Sequence, residues 1–279
     1  MKKIISLLLA VFMAVGMVGL CASCGSSTTA APGTTTPGTS GTPSAPAQTD
    51  LDYVKSKGKL VVGIMEYAPM DYKDENDNWT GFDAEFARLF ADKLGVTAEF
   101  IVIDWDNKLF ELSSGAIDCI WNGMTITDEI LNSCAVSDAY VKNQQVVVMS
   151  ADKAAEYATF DDMVDLSFAA EAGSAGESAV SESVANYTAV SDQSTALMEV
   201  ASGSVDACVI DATMAAAMTG DGTSYADLVV AAELTNEEYG VAFRQNSDLC
   251  DEFNKVMNEL IADGTLGELA AKYGLTLAK

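Results

Sequence analysis

From residue 59 onward the chain alternates two patterns. Short apolar runs of strand length are separated by longer stretches whose apolar residues recur at helical spacing. KLVVGIM (59–65) predicts a strand. Phe82, Phe86, Leu89, Phe90 and Leu94 then share one face of a helix predicted over 83–94, and Gly95 ends it. A strand at 98–104, a helix at 107–113 and strands at 117–121 and 144–149 follow. The second half repeats the theme: a strand at 166–171, helices from about 175 and from 194, and strands at 207–210, 228–234 and 239–243. Two helices close the chain. In the first, Phe253, Val256, Met257, Leu260 and Ile261 share a face and Gly264 stops it; the second opens on Thr265-x-x-Glu268, the pattern of a capping box. Such alternation predicts an α/β fold with largely parallel sheets.

An internal repeat divides this fold in two. ELSSGAIDCI (111–120) and EVASGSVDACVI (199–210) are near copies, each a helix end, a Ser-Gly stop and a buried strand. A polar residue ends each strand, Asn122 in one and Asp211 in the other. Two similar lobes would each present a strand end to a shared cleft, where open α/β sheets bind ligands, and a cleft between lobes that close is a hinge-type binder. The stretch after the first strand, NGMTITDEILNSC (122–134), crowds Asn122, Gly123, Thr125 and Thr127 into one turn without a basic residue. Asp128 and Glu129 read as first-turn helix residues favoured by the helix dipole.

The N-terminal pattern differs. Lys2 and Lys3 precede an apolar run to Leu20, and the small residues Ala22 and Ser23 precede Cys24, the arrangement of a secretory signal. GSSTTAAPGTTTPGTSGTPSAPAQTD (25–50) lacks the large apolar residues a core needs and reads as a flexible tether. Signal, cysteine and tether together resemble a bacterial lipoprotein modified at Cys24, although the position three before the cysteine, usually Leu, is Cys21. Ordinary cleavage with Cys24 left free is the alternative. No later apolar run reaches the ~18–20 residues of a span, so the membrane is expected to be reached through the lipid anchor only.

Charge and composition narrow the chemistry. The net charge of −26 opposes nucleic-acid binding, which needs Lys and Arg against phosphates. With no His in the chain, Ser-His-Asp and Cys-His nucleophile systems and His-bearing zinc sites drop out, and no metal or cofactor is called for. Cys119, Cys134, Cys208 and Cys250 show no C-x-x-C spacing; Cys119 and Cys208 sit in apolar runs as small core residues, and one disulfide stays open.

GKLVVGIMEYAPM (58–70), GFDAEFARLFADKLG (81–95), DWDNKLFELSSGAIDCIWNGMTIT (104–127), SDAYVKNQQVVV (137–148), AEAGSAGESAV (170–180), ASGSVDACVIDATMA (201–215) and YGVAF (239–243) carry a resemblance. In this order and spacing the chain resembles the solute-binding proteins of polar amino-acid ABC importers, in lipoprotein form. The resemblance implies a periplasmic-binding-protein-like fold of two lobes joined by two crossing strands, near 144–149 and 235–242. It implies a signal at 1–23, a tether at 24–50, a first lobe at 51–145 and 237–279, and a second at 146–236. The implied partners are a small amino acid or amine and an ABC permease, at the extracytoplasmic face of the membrane.

Matched one by one, Tyr67 and Trp105 stand where aromatic residues stack on the ligand. Gly123 and Thr125, next to Asn122, stand where a backbone group and a hydroxyl take its carboxylate. Gly173, Ser174 and Ala175 match the loop offering helix N-terminal amides to that carboxylate. Asp211 matches the carboxylate that receives the ligand's ammonium. Ile130 departs from the pattern: it holds the position of an Arg whose two-pronged contact Ile cannot mimic. Glu66 and Glu171 add acidity, so three carboxylates are expected without a matched cation, and neither Arg88 nor Arg244 is placed in the cleft. Two ligand classes follow. One is an amine or strongly cationic derivative with its carboxylate absent or weakly held; the other is an ordinary amino acid held by helix amides. An enzyme on the same fold, resembling cyclohexadienyl dehydratase with Glu171 as general acid, is the alternative to binding.

Overall fold

The computed structural model describes residues 48–279; the signal segment, Cys24 and nearly all of the tether lie outside the described residues. In chain order the strands are β1 (Lys59–Ile64), β2 (Tyr72–Lys73), β3 (Trp79–Thr80), β4 (Thr97–Val102), β5 (Cys119–Ile120), β6 (Ala135–Val136), β7 (Val141–Ser150), β8 (Phe168–Glu171), β9 (Tyr187–Val190), β10 (Ala207–Asp211), β11 (Leu228–Tyr239) and β12 (Ala242–Phe243). Two five-stranded sheets form two lobes, in the orders β4-β1-β5-β12-β6 and β11-β7-β10-β8-β9.

Burial explains the strand sequences. Five of the six residues of β1 are buried, as expected of a strand covered on both faces. In the first lobe the helix Phe82–Leu94 lays Phe82, Phe86 and Phe90 inward. Phe86 and Trp121 meet edge to face at 4.8 Å, and Trp121 meets Phe253 of the helix Leu249–Ala262 at 5.0 Å. β7 and β11 pair antiparallel along their length, from Leu228 opposite Ser150 to Tyr239 opposite Val141, and belong to the second sheet. Their far ends reach the first lobe, where Tyr140 stacks on Phe82 and β12 pairs with β5.

Four expectations need correction. The sheets are mixed, because β7 and β11 run antiparallel to each other and β12 runs antiparallel to β5 and β6. The strands expected at 228–234 and 239–243 are instead one long strand to Tyr239 and a two-residue β12, since the polar run TNEE keeps pairing with β7 and Glu237 accepts from Asn143 and Gln145 of that strand. The strand expected over 117–121 shrinks to β5, because the chain turns at Gly123, whose φ is +56°. No capping box forms at Thr265: Gly264 holds the cap position, and the Thr265 amide is taken by Asp263 Oδ1. The four cysteines of the described residues are free thiols, three of them buried. Among the described residues no helix is long and apolar enough to cross a membrane.

Candidate functional site: a cleft between two lobes

A cavity of about 250 Å³ lies between the lobes, outside the ends of β1, β5, β8 and β10, and every residue predicted above for the ligand contributes to its wall. Tyr67 and Trp105 form aromatic walls, 4% and 7% exposed. The Tyr67 hydroxyl meets those of Thr213 in the second lobe and Tyr239 at the hinge. Trp105 opens a 3-10 turn, Trp105–Asn107, capped by the Asp104 carboxylate.

The first-lobe wall is bonded mostly to its own protein. The Asn122 side chain accepts from Met65 N–H at 2.7 Å and donates to Met65 C=O and to Asp71 Oδ2, tying the ends of β1 and β5 together. The Gly123 N–H donates to Asp83 Oδ2 at 2.6 Å, and the Thr125 hydroxyl donates to Glu237 Oε1 at 2.8 Å. Both donors are taken by the protein itself, one by the buried Asp83 of the lobe core and the other by the half-buried Glu237 of the hinge. Ile130 is 3% exposed and packs with Val61, Ile103, Trp105 and Leu112, so the position matched to Arg is part of an apolar cluster.

Contrary to the expectation of a cleft without a cation, one does reach the cavity. Lys108, the first residue of the helix Lys108–Ser114, lies on the wall with its ammonium 4.9 Å from the Trp105 ring centroid. It donates to Trp105 C=O at 3.2 Å and, across the cleft, to Gly173 C=O at 2.7 Å. Burial pulls its pKa down, against the attraction of Glu129, Glu171 and Asp106. A lysine opening a helix reads as a surface residue. The one sequence clue is its place three residues after Trp105, which lets its stem run along the indole.

The second-lobe wall is acidic. Glu171 ends β8 with 6% of its surface exposed; burial, then Asp211 and Asp192, push its pKa up to about 8. In the loop that follows, Gly173 N–H donates to Glu177 Oε2, Ser174 N–H donates to Glu171 C=O, and the Ser174 hydroxyl caps the helix Ala175–Ser181 by accepting from Glu177 N–H. Two of the three loop amides expected for a carboxylate are therefore used within the loop, leaving that of Ala175. Asp211, ending β10, accepts from Asn143, Gln145, Gln193 and Tyr239. Burial and the neighbouring Glu237 carboxylate push it up to about 7, while the Gln193 and Tyr239 donors oppose them.

Three acidic groups behind the wall escaped sequence reasoning. Asp71 and Asp83 are buried together in the first lobe; burial raises both, Asp83 to about 7, and each keeps one oxygen without a hydrogen-bond partner. The sequence signal is Asp83 between Phe82 and Ala84 on the buried face of its helix. Glu237 lies in the polar run of β11 and accepts from Thr125, Asn143 and Gln145. Arg88 and Arg244 stay outside the cavity: Arg88 donates to Trp79 C=O, and Arg244 reaches Asp50 and Ile117 C=O.

Comparison with known proteins fits this geometry. A family model described as bacterial extracellular solute-binding proteins, family 3, matches residues 60–276. The chain is 29% identical over 224 residues to an arginine-binding extracellular protein of Bacillus subtilis, covering 78% of this chain and 86% of that one. Among solved structures, a mutant of ArgBP from T. maritima superposes with a TM-score of 0.75 at 32% identity, over 80% of this chain and 98% of the other. An ancestral amino acid-binding protein, AncCDT-1, a precursor of cyclohexadienyl dehydratase, gives 0.74 at 32% identity over the same shares.

Proposed function

The chain belongs to the bacterial extracellular solute-binding proteins, family 3, and from that membership we propose that it captures an amino acid or related small amine between its lobes and delivers it to an ABC importer. The observation that carries this reading is the interlobe cavity, walled by Tyr67 and Trp105 and polar at both strand ends. The lobes proposed are 51–145 with 237–279, and 146–236. Anchoring through a lipid on Cys24, after removal of 1–23, would hold the protein on the extracytoplasmic face beside its permease.

The test is a thermal-shift screen of the purified chain against amino acids and small amines. A ligand at 100 times its dissociation constant stabilises by about 2.7 kcal/mol, and a panel giving no shift would remove the reading. Mass spectrometry of the membrane fraction checks the anchor: a diacylglyceryl mass on the peptide starting at Cys24 is expected, and Cys24→Ala should release the protein.

A second reading, an acid-catalysed elimination, is favoured by one observation: Glu171 is buried in the cavity with its pKa raised to about 8, where a general acid holds its proton. Turnover of a prephenate-like acid, lost in Glu171→Gln, would support it. A bound but unchanged solute supports capture.

A further inference from the structure

Within the solute-binding reading, we propose that Glu171, beside Asp211, is a counter-charge for the ligand's cationic group, that this group is an ammonium or guanidinium, and that its capture expels a proton from the cleft.

A carboxylate offers about four lone-pair sites. Those of Asp211 are mostly taken up from within the protein. Oδ1 accepts from Asn143 Nδ2 at 2.5 Å, Gln145 Nε2 at 2.8 Å and the Tyr239 hydroxyl at 2.9 Å, and Oδ2 accepts from Gln193 Nε2. Gln193 Oε1 in turn accepts from the Asp211 N–H at 2.9 Å. Asp211 thus knots the hinge strand β7, the helix Gln193–Ser202 and β11 to the end of β10. Oδ2 has Gln193 as its one donor, so Asp211 keeps a single site for a ligand N–H, too few for a cation that carries several.

Glu171 stands one strand away, since β8 pairs with β10, and its side chain lines the cavity. The groups facing it are Asp211 from β10, Asp192 and Gln193 from the start of the helix Gln193–Ser202, and Lys108 from the first lobe; Glu66, Asp128 and Glu129 line the first-lobe side. Lys108 already spends two of its N–H groups on the carbonyls of Trp105 and Gly173.

Proton release follows from the same surroundings. Burial and two acidic neighbours push Glu171 up to about 8, so near neutral pH the carboxyl holds its proton until a cation arrives. The ion pair then forms as Glu171 carboxylate with the ligand's ammonium or guanidinium, and the proton passes to solvent. Below pH 8 affinity should rise about tenfold per pH unit, and above it level off.

Isothermal titration of the purified chain decides this, with L-arginine, agmatine, L-lysine and the neutral L-citrulline as probes, in phosphate and in Tris at pH 6.5. The expected results are binding of a cationic probe, citrulline at least tenfold weaker, and a buffer-dependent enthalpy equivalent to about one proton released. Glu171→Gln should flatten the pH profile and weaken the cationic probe at least tenfold while its melting temperature stays near that of the parent. Citrulline binding as tightly as arginine overturns the proposal. So does a pH slope that persists in Glu171→Gln, which would move the titration to Asp211. Binding of neutral amino acids with none of the cations overturns it and leaves solute capture standing; no shift with any small solute removes both.

Discussion

Asn122 and Asp211 end equivalent strands of the internal repeat, yet they do opposite work. Asn122 both donates and accepts, and its partners, Met65 and Asp71, lie in its own lobe. Asp211 only accepts through its side chain, and its partners include Asn143, Gln145 and Tyr239 on the two hinge strands. The repeat therefore supplies one geometry, a polar side chain at a strand end, which the first lobe uses to fix its own floor and the second uses to bind itself to the hinge. The loops beyond these residues differ in the same way. Gly123 packs under Tyr67 of its own lobe, whereas Gly173 touches Asp106 across the cleft.

Truncating the strand ends gives the largest contrast. Asp211→Ala leaves several buried donors without an acceptor and should cost about 3 kcal/mol, while Asn122→Ala should cost about 2 kcal/mol, both read from urea denaturation. Equal costs would mean that the hinge knot adds nothing.

The glycines come next. A Cβ at Gly123 would stand 2.6 Å from Tyr67 Cε1, on a backbone with φ +56°, so Gly123→Ala should destabilise by about 2 kcal/mol. At Gly173 the Cβ would stand 2.9 Å from the Asp106 Cα. There Gly173→Ala should prop the lobes apart and weaken ligand at least tenfold, with a stability loss of only about 1 kcal/mol from its positive φ. A Gly173→Ala protein that binds normally would break the distinction between a glycine for folding and one for closure.

Smaller effects test the second matched pair of the repeat, Asp118 and Asp206. Asp118 is 1% exposed and holds Lys57 at 2.6 Å and the Val61 N–H at 2.7 Å; Asp206 is more open and holds Lys153 and Ser167. Lys57→Met should cost about 2 kcal/mol by leaving a buried charge short of its partner, and Lys153→Met less than about 1 kcal/mol. Smallest is the pH effect. Lys153 and Ser167 hold Asp206 down at about 2, below its unfolded value, so its contribution is present in full above the ordinary carboxylate range and is lost as pH falls through 2. The stability gap between the parent and Asp206→Asn should therefore shrink between pH 5 and pH 2.

The α/β alternation, the repeat and the cleft between strand ends were legible because each rests on apolar periodicity or on a copied segment. What stayed hidden was polar burial. TNEE falls outside the apolar strand pattern and is placed in a crossing strand only through the family resemblance, since nothing in the run shows that β7 will pair with it; nothing in the sequence pattern shows that Asp83 and Glu237 accept hydrogen bonds from cleft residues. Lys108 was hidden for the converse reason: its burial depends on a carbonyl 65 residues away, at Gly173, which no local pattern records. Positions on the cavity wall could be read, but the use each donor is put to could not, because that is decided by neighbours from other elements.

The bond from Lys108 to Gly173 and the one from Tyr67 to Thr213 join the lobes directly. The lobes cannot separate to admit a solute until both have parted. Uptake then acquires a clock of its own: as solute becomes abundant, the observed association rate should stop rising and settle at the rate of opening. Two hydrogen bonds would set how often the cleft opens to solute.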